Sequence, residues 1–216
     1  GGFEAFALSG VVQGLSGDGS IMAGFTKGAN NRDSAFRWTQ SGGAEMLPYL
    51  SGTGTGFLDS AVASDISDDG SRIVGFSNAG ESFNFNQHAV VWTQSGVMSL
   101  GTLDNSTSTG SFAYGISGDG STIVGSSGEA GKVGQTAFRH TDAGGMVSLG
   151  RLNDGSGSEA YSASYDGSVI VGQAADGAAF NRARAFRWTE AGGLQALNAA
   201  NLNYIPLRAN DVSADG

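Results

Sequence analysis

Two different motifs recur in one phase along this chain, and that double periodicity constrains the fold more than any other feature. Ser16-Gly17-Asp18-Gly19-Ser20, Ser67-Asp68-Asp69-Gly70-Ser71, Ser117-Gly118-Asp119-Gly120-Ser121 and Ser164-Tyr165-Asp166-Gly167-Ser168 share one pattern, and Ser213-Ala214-Asp215-Gly216 begins a fifth. Their aspartates lie 51, 50, 47 and 49 residues apart. Ala35-Phe36-Arg37-Trp38-Thr39 keeps step with them, as do Ala89-Val90-Val91-Trp92-Thr93, Ala137-Phe138-Arg139-His140-Thr141 and Ala185-Phe186-Arg187-Trp188-Thr189. Repetition at this period is the signature of a solenoid, a propeller or a linear array.

Each unit reads as four short strands. The first ends at the motif serine, and the Asp-Gly pair that follows predicts a two-residue hairpin. The second is β-branched: Ile21 to Phe25, Ile73 to Phe76, Ile123 to Ser126 and Val169 to Gln173. The third is the Ala-Phe-Arg-Trp-Thr stretch, whose alternation sets Phe36 and Trp38 on one face and Ala35, Arg37 and Thr39 on the other. A glycine turn leads into the fourth, for example Met98 to Leu100. Four antiparallel strands in roughly 50 residues match a propeller blade. The expectation is an all-β chain, a β-propeller or propeller segment with four repeats of four antiparallel strands plus one extra strand. Residues 1–216 then form a single repeat domain with units near 10–60, 61–111, 112–158 and 159–208, and 209–216 start a fifth.

Composition narrows the function. Twenty acidic against eleven basic side chains give a formal charge of -9, the wrong sign for neutralising phosphates, so nucleic acid is not an expected partner. There is no cysteine, hence neither a disulfide nor a thiolate site. No apolar run approaches the roughly 20 residues of a membrane helix, and the opening Gly1-Gly2-Phe3-Glu4 lacks the layout of a secretory signal.

The combination of S-x-D-G-S-x-I-V-G, an A-F-R-W-T strand and a G-G-M-x-S-L-G ending resembles the bacterial extracellular repeats called the HAF family, after a His-Ala-Phe stretch that His88-Ala89-Val90 partly retains. The resemblance covers essentially the whole chain. It implies a secreted or outer-membrane surface protein of a bacterium, in some cases the segment ahead of an autotransporter barrel, and it implies no particular activity. Val90-Val91 for Phe-Arg and His140 for Trp depart from the pattern. The turn motif also resembles the Asp-box of sialidase propellers, as analogous geometry only.

The recurring polar residues read as structural. Asp18-Gly19, Asp69-Gly70, Asp119-Gly120 and Asp166-Gly167 are turn residues; a calcium role for the aspartates is the lesser reading, because each motif offers one carboxylate where calcium takes six to eight oxygens. No cofactor is expected. Arg37, Arg139 and Arg187 are expected to pair with carboxylates or lie over rings, and the aromatic residues of the third strands to form inter-blade core. The non-repeating loops between second and third strands are the place to look for recognition: Asn31 and Arg32; Phe83, Asn84, Phe85 and Asn86; Phe180, Asn181 and Arg182. The functional expectation is a non-enzymatic surface module that binds a protein or glycan through these loops, within a longer repeat chain. Two alternatives stay open: a structural subunit self-associating through β edges, and a propeller hydrolase acting on glycans.

Overall fold

A computed structural model describes residues 9–28, 31–50, 59–78, 87–106, 109–198 and 205–216. The chain is an all-β propeller segment of four antiparallel sheets, each a simple up-and-down meander. The first comprises β1 (Gly10–Leu15), β2 (Ile21–Lys27), β3 (Asp33–Thr39) and β4 (Gly43–Met46); the second β5 (Ala61–Ile66), β6 (Ile73–Asn78), β7 (Gln87–Thr93) and β8 (Gly96–Gly101). The third comprises β9 (Ser111–Ile116), β10 (Ile123–Gly128), β11 (Gln135–Thr141) and β12 (Gly145–Gly150); the fourth β13 (Ser158–Ala163), β14 (Val169–Asp176), β15 (Arg182–Thr189) and β16 (Gly193–Ala196). The leading strands β1, β5, β9 and β13 touch one another in turn, which puts them innermost and β4, β8, β12 and β16 on the periphery. Residues 205–213 run beside the fourth sheet without a strand ladder of their own, tied to it by Ala209 N donating to Gly172 O at 3.2 Å.

Each sheet has one face of small side chains and one of large, and neighbours stack small on large. Between the first and second sheets, Ala23 and Ala35 meet Ile73, Val90 and Trp92; between the second and third, Val74, Ala89 and Val91 meet Ile123 and Phe138; between the third and fourth, Val124 and Ala137 meet Ile170, Phe186 and Trp188. β7 and β11 have a sheet stacked on each side, and Ala35, Ala89, Ala137 and Ala185 are as buried as Phe36, Val90, Phe138 and Phe186 beside them. Burying one such aromatic ring contributes roughly 2–3 kcal/mol, which no sheet could gain alone. Trp92 adds a polar tie, its indole N–H donating to Pro48 O at 2.7 Å across the same interface. Arg139 lies 5.1 Å from the Trp188 ring and 3.1 Å from Glu190, and Arg37 reaches Glu45 at 3.8 Å. These half-exposed pairs add little beyond about 1 kcal/mol each.

The hairpins correct the sequence expectation. Asp and Gly are not the two central residues of a tight turn: Ser16 N bonds Ile21 O at 2.9 Å across four intervening residues, and Gly19 N bonds Ser16 O at 2.8 Å. The turn thus centres on Gly17-Asp18. None of Asp18, Asp69, Asp119 and Asp166 has positive φ, as the two-residue turn requires, whereas Gly19, Gly70, Gly120 and Gly167 do. The aspartate serves through its side chain instead. Asp18 Oδ1 accepts from Ser20 N at 2.9 Å and Ser16 Oγ at 2.8 Å, and Ser16 Oγ accepts from Ile21 N at 3.0 Å. The same clamp recurs at Asp69, Asp119 and Asp166. The turns then join one another: Gly17 N to Asp68 O, Asp68 N to Gly118 O, Asp119 N to Tyr165 O, and Tyr165 N to Ala214 O, all at 2.9–3.0 Å. A backbone ladder perpendicular to the sheets sets their spacing at this end of the axis.

These clamps titrate. The Ser20 N–H and the serine hydroxyls hold Asp18 down to about 2, bonds from Ser67 and Ser71 lower Asp69, and bonds from Ser168 and Ser164 lower Asp166. At Asp119 burial opposes the shift, yet bonds from Ser117 and Ser121 prevail and lower it. Each group binds its proton less readily folded than unfolded, so the stability it lends is complete above the ordinary value of 3.8 and is lost as pH falls through the depressed values. The urea midpoint is expected to drop between about pH 4 and pH 2, less steeply after Asp→Asn at all four turns; an identical drop in that variant would refute the assignment. Asp65 behaves oppositely, because burial pushes its carboxyl up to about 6.

Candidate functional site: an axial cleft lined by bulged residues

The four inner strands share a local irregularity. The pairing skips Gln13 in β1, Ser64 in β5, Tyr114 in β9 and Tyr161 in β13, so each is the extra residue of a β-bulge at one equivalent position. A bulge turns its extra side chain out of the alternating pattern and re-aims it. All four line one cleft of about 690 Å3 at the axis, joined by Asn210, which holds the same register in the 205–213 segment.

The repeating motif builds the bulge. Gly24, Gly75, Gly125 and Gly172, the last residues of the M-A-G, I-V-G, I-V-G and I-V-G runs, pair with the residue just before each bulge. A Cβ there would stand 1.9–2.0 Å from the carbonyl oxygen of Val11, Val62, Phe112 or Glu159. Only glycine lets the bulged strand approach so closely. The repeat therefore fixes where an axial side chain emerges and leaves its identity open: Gln, Ser, Tyr, Tyr and Asn.

Aromatic rings run along the cleft. Phe76 meets Phe112 edge-on at 5.2 Å, Phe112 stacks with Tyr114 at 6.3 Å, Tyr114 lies 5.7 Å from Tyr161, and the Arg208 guanidinium sits 3.8 Å over the Tyr161 ring. The Tyr161 hydroxyl donates to Glu159 Oε2, which also accepts from Gln173 Nε2 at 3.4 Å. Ser126 Oγ donates to the Tyr114 hydroxyl at 3.3 Å. Burial pushes both phenols up, reinforced at Tyr161 by the bond to Glu159, so both remain protonated hydrogen-bond donors at neutral pH. Tyrosine with serine, asparagine and glutamine is chemistry suited to binding, combining rigid amphipathic area with adaptable polar contacts. Among the described residues no group of three or more His, Asp or Glu side chains is gathered to hold a metal ion.

Of the loop residues singled out by sequence, Asn31, Arg32, Phe180, Asn181 and Arg182 fall within the described residues. Asn31, at φ 56°, and Arg32 close a tight turn in which Gly28 N donates to Arg32 O at 2.8 Å. Phe83, Asn84, Phe85 and Asn86 lie outside the described residues. The stretch 174–184, expected as a loop, is mostly strand, with a 3-10 turn (Gly177–Ala179) between β14 and β15, so Arg182 opens a strand. Phe180 is 95% exposed and, with Arg182, Ile205 and Leu207, lines a second cleft of about 390 Å3. Asn181 lines a third, between the third and fourth sheets. The axial residues escaped sequence reading because a bulge breaks the two-residue alternation by which inward positions are counted. The signal was the glycine closing each second-strand run.

Together the meanders, the innermost leading strands and the axial cleft define a β-propeller segment. Solved structures agree in fold: TolB from Acinetobacter baumannii superposes with a TM-score of 0.59 at 16% identity over 91% of this chain and 45% of that one. A putative TolB from Agrobacterium tumefaciens gives 0.56 at 14% over 88% and 63%, and prolyl oligopeptidase B from Galerina marginata 0.58 at 10% over 91% and 27%. The chain thus spans less than two thirds of each of these proteins. No protein-family model and no curated protein sequence matches it.

Proposed function

We propose that the chain is a non-enzymatic recognition module of a secreted or outer-membrane surface protein of a bacterium, of the HAF-repeat type, that binds a protein or glycan at its axial cleft and the loops around it. The observation that carries the reading is the convergence of five units on one cleft through Gln, Ser, Tyr, Tyr and Asn side chains, the first four from the same bulge. Conserved geometry with variable chemistry is how a scaffold serves recognition. The surface location rests on the HAF resemblance; among the described residues no helix is long and apolar enough to cross a membrane.

The test is a binding screen of the purified protein against surface glycans and envelope proteins, with product analysis on every hit. Tyr161→Ala and Tyr114→Ala are each expected to weaken binding about tenfold to a hundredfold, the worth of a lost aromatic anchor, with no ligand consumed. Turnover abolished by Glu159→Gln would instead establish the hydrolase alternative. Self-association is supported by one separate observation: Val12 and Leu15 of β1 are 46% and 54% exposed where the equivalent Ala63 and Ile66 of β5 are 0% and 4%. A neighbouring sheet would cover them, and sedimentation velocity across a concentration series measures whether a second copy does.

A further inference from the structure

Glu159 has two sides. One belongs to the axial cleft; the other forms a wall of a separate cavity of about 230 Å3 between the third and fourth sheets, also lined by Gln135, Gln173 and Asn181. At ~30 Å3 per water that is room for seven or eight waters, on the scale of one six-membered sugar ring with its hydroxyls.

The lining is amphipathic. Ala174, Ala175 and Ala183 supply apolar surface, and three side-chain amides and a carboxylate supply hydrogen bonding. Gln135 Oε1 has no hydrogen-bond partner among the protein atoms, which leaves it as an acceptor for a donor within the cavity. Glu159 is a second acceptor. Asn181 contributes the opposite polarity: its Oδ1 accepts from Ser156 N at 3.0 Å, which leaves the amide NH2 as the group it offers.

Left-handed backbone shapes one wall. Phe180 and Asn181 both adopt left-handed backbone, φ 55° and 58°, a conformation that costs about 1–3 kcal/mol per residue in side-chain-bearing positions. Asp176, 3% exposed, holds that segment by accepting from Asn153 Nδ2 at 2.8 Å, Ala178 N at 3.1 Å and Arg184 at 2.9 Å, while its carbonyl accepts from Asn181 N at 2.9 Å. That buried network fixes the segment from which Asn181 reaches the cavity wall.

We propose that this cavity is a subsite for one pyranose residue of a glycan, neutral or amino-bearing, whose neighbouring residue lies in the axial cleft against Tyr161, with Glu159 between them. Three amides, each with both donor and acceptor, favour a polyhydroxylated ring over a lysine-type ammonium, whose three N–H groups only donate and would leave the amide NH2 groups unanswered. The Glu159 carboxylate and the net charge of -9 disfavour acidic sugars. The assignment rests on the axial-cleft reading and selects the glycan branch of it.

Titration of the 15N-labelled protein with glucose, glucosamine, N-acetylglucosamine and glucuronate, followed by NMR, tests it. The expected result is saturable shifts at Ala175, Asn181 and the Gln135 side-chain amide with at least one neutral or amino sugar and none with glucuronate. Gln135→Leu and Asn181→Ala, each with unchanged melting temperature, should weaken that sugar about tenfold. Shifts confined to Tyr114 and Tyr161, or affinity unchanged in both variants, would overturn the subsite and leave axial binding standing. Silence to every sugar would also overturn it, while a protein ligand lost in Tyr161→Ala would preserve the axial reading alone.

Discussion

Gly125→Ala is expected to destabilise the chain by about 4 kcal/mol, at the severe end for single substitutions, and to lower its melting temperature by roughly 8–16 °C for a domain of this size. The added methyl would stand 1.9 Å from Phe112 O and 2.9 Å from Phe138 Cε1. The first of these atoms is backbone in a strand paired to β10, so it cannot rotate away. β9 would have to separate from β10, removing ladder bonds and displacing the bulged Tyr114 from the axis. Binding at the axial cleft should therefore fail along with stability, even at temperatures where the variant is folded. Gly19→Ala is the contrasting case. Its φ is 73° and nothing lies within 4 Å of an added Cβ, so the cost is confined to left-handed backbone, about 1–2 kcal/mol. Calorimetry on the two variants measures the difference; equal effects would mean that the glycines of the second strands serve only as flexible links.

Phe138→Ala is expected to cost about 3–5 kcal/mol. The ring is fully buried between the second and third sheets against Val74, Ala89 and Val91, where small side chains of one sheet leave space that only this ring fills. The sheets cannot close over the vacancy, because the turn ladder at one end fixes their separation. Val90 occupies the equivalent position in β7, and Val90→Ala removes fewer buried atoms, for about 1.5–3 kcal/mol. Denaturant midpoints for the pair measure the difference. A loss at Phe138 no larger than at Val90 would show that neighbouring sheets adapt freely and that their spacing is not set by the ladder.

Much of this architecture is legible in the chain itself. The S-x-D-G-S spacing identified the hairpins and their number, the β-branched runs identified the second strands, and Ala-Phe-Arg-Trp-Thr identified the third. The turn type was misread because Asp-Gly carries the same dipeptide whether aspartate adopts positive φ or caps the turn with its carboxylate; the serine two residues earlier decides between them by bonding Asp18 Oδ1. The candidate site was less legible. Gln13, Ser64, Tyr114 and Tyr161 each stand five residues before a motif aspartate, so the repeats align them, but their mix of Gln, Ser and Tyr carries no common signal that they turn to the axis.

By itself the sequence determined the unit, its four strands, its turns and the order in which the units stack, because these follow from local backbone preference and from hydrophobic surface that a single sheet cannot hide. Tertiary structure alone decided what faces the axis. A bulge arises from the close approach of two backbones, and five positions about fifty residues apart become one cleft only when the sheets are set side by side.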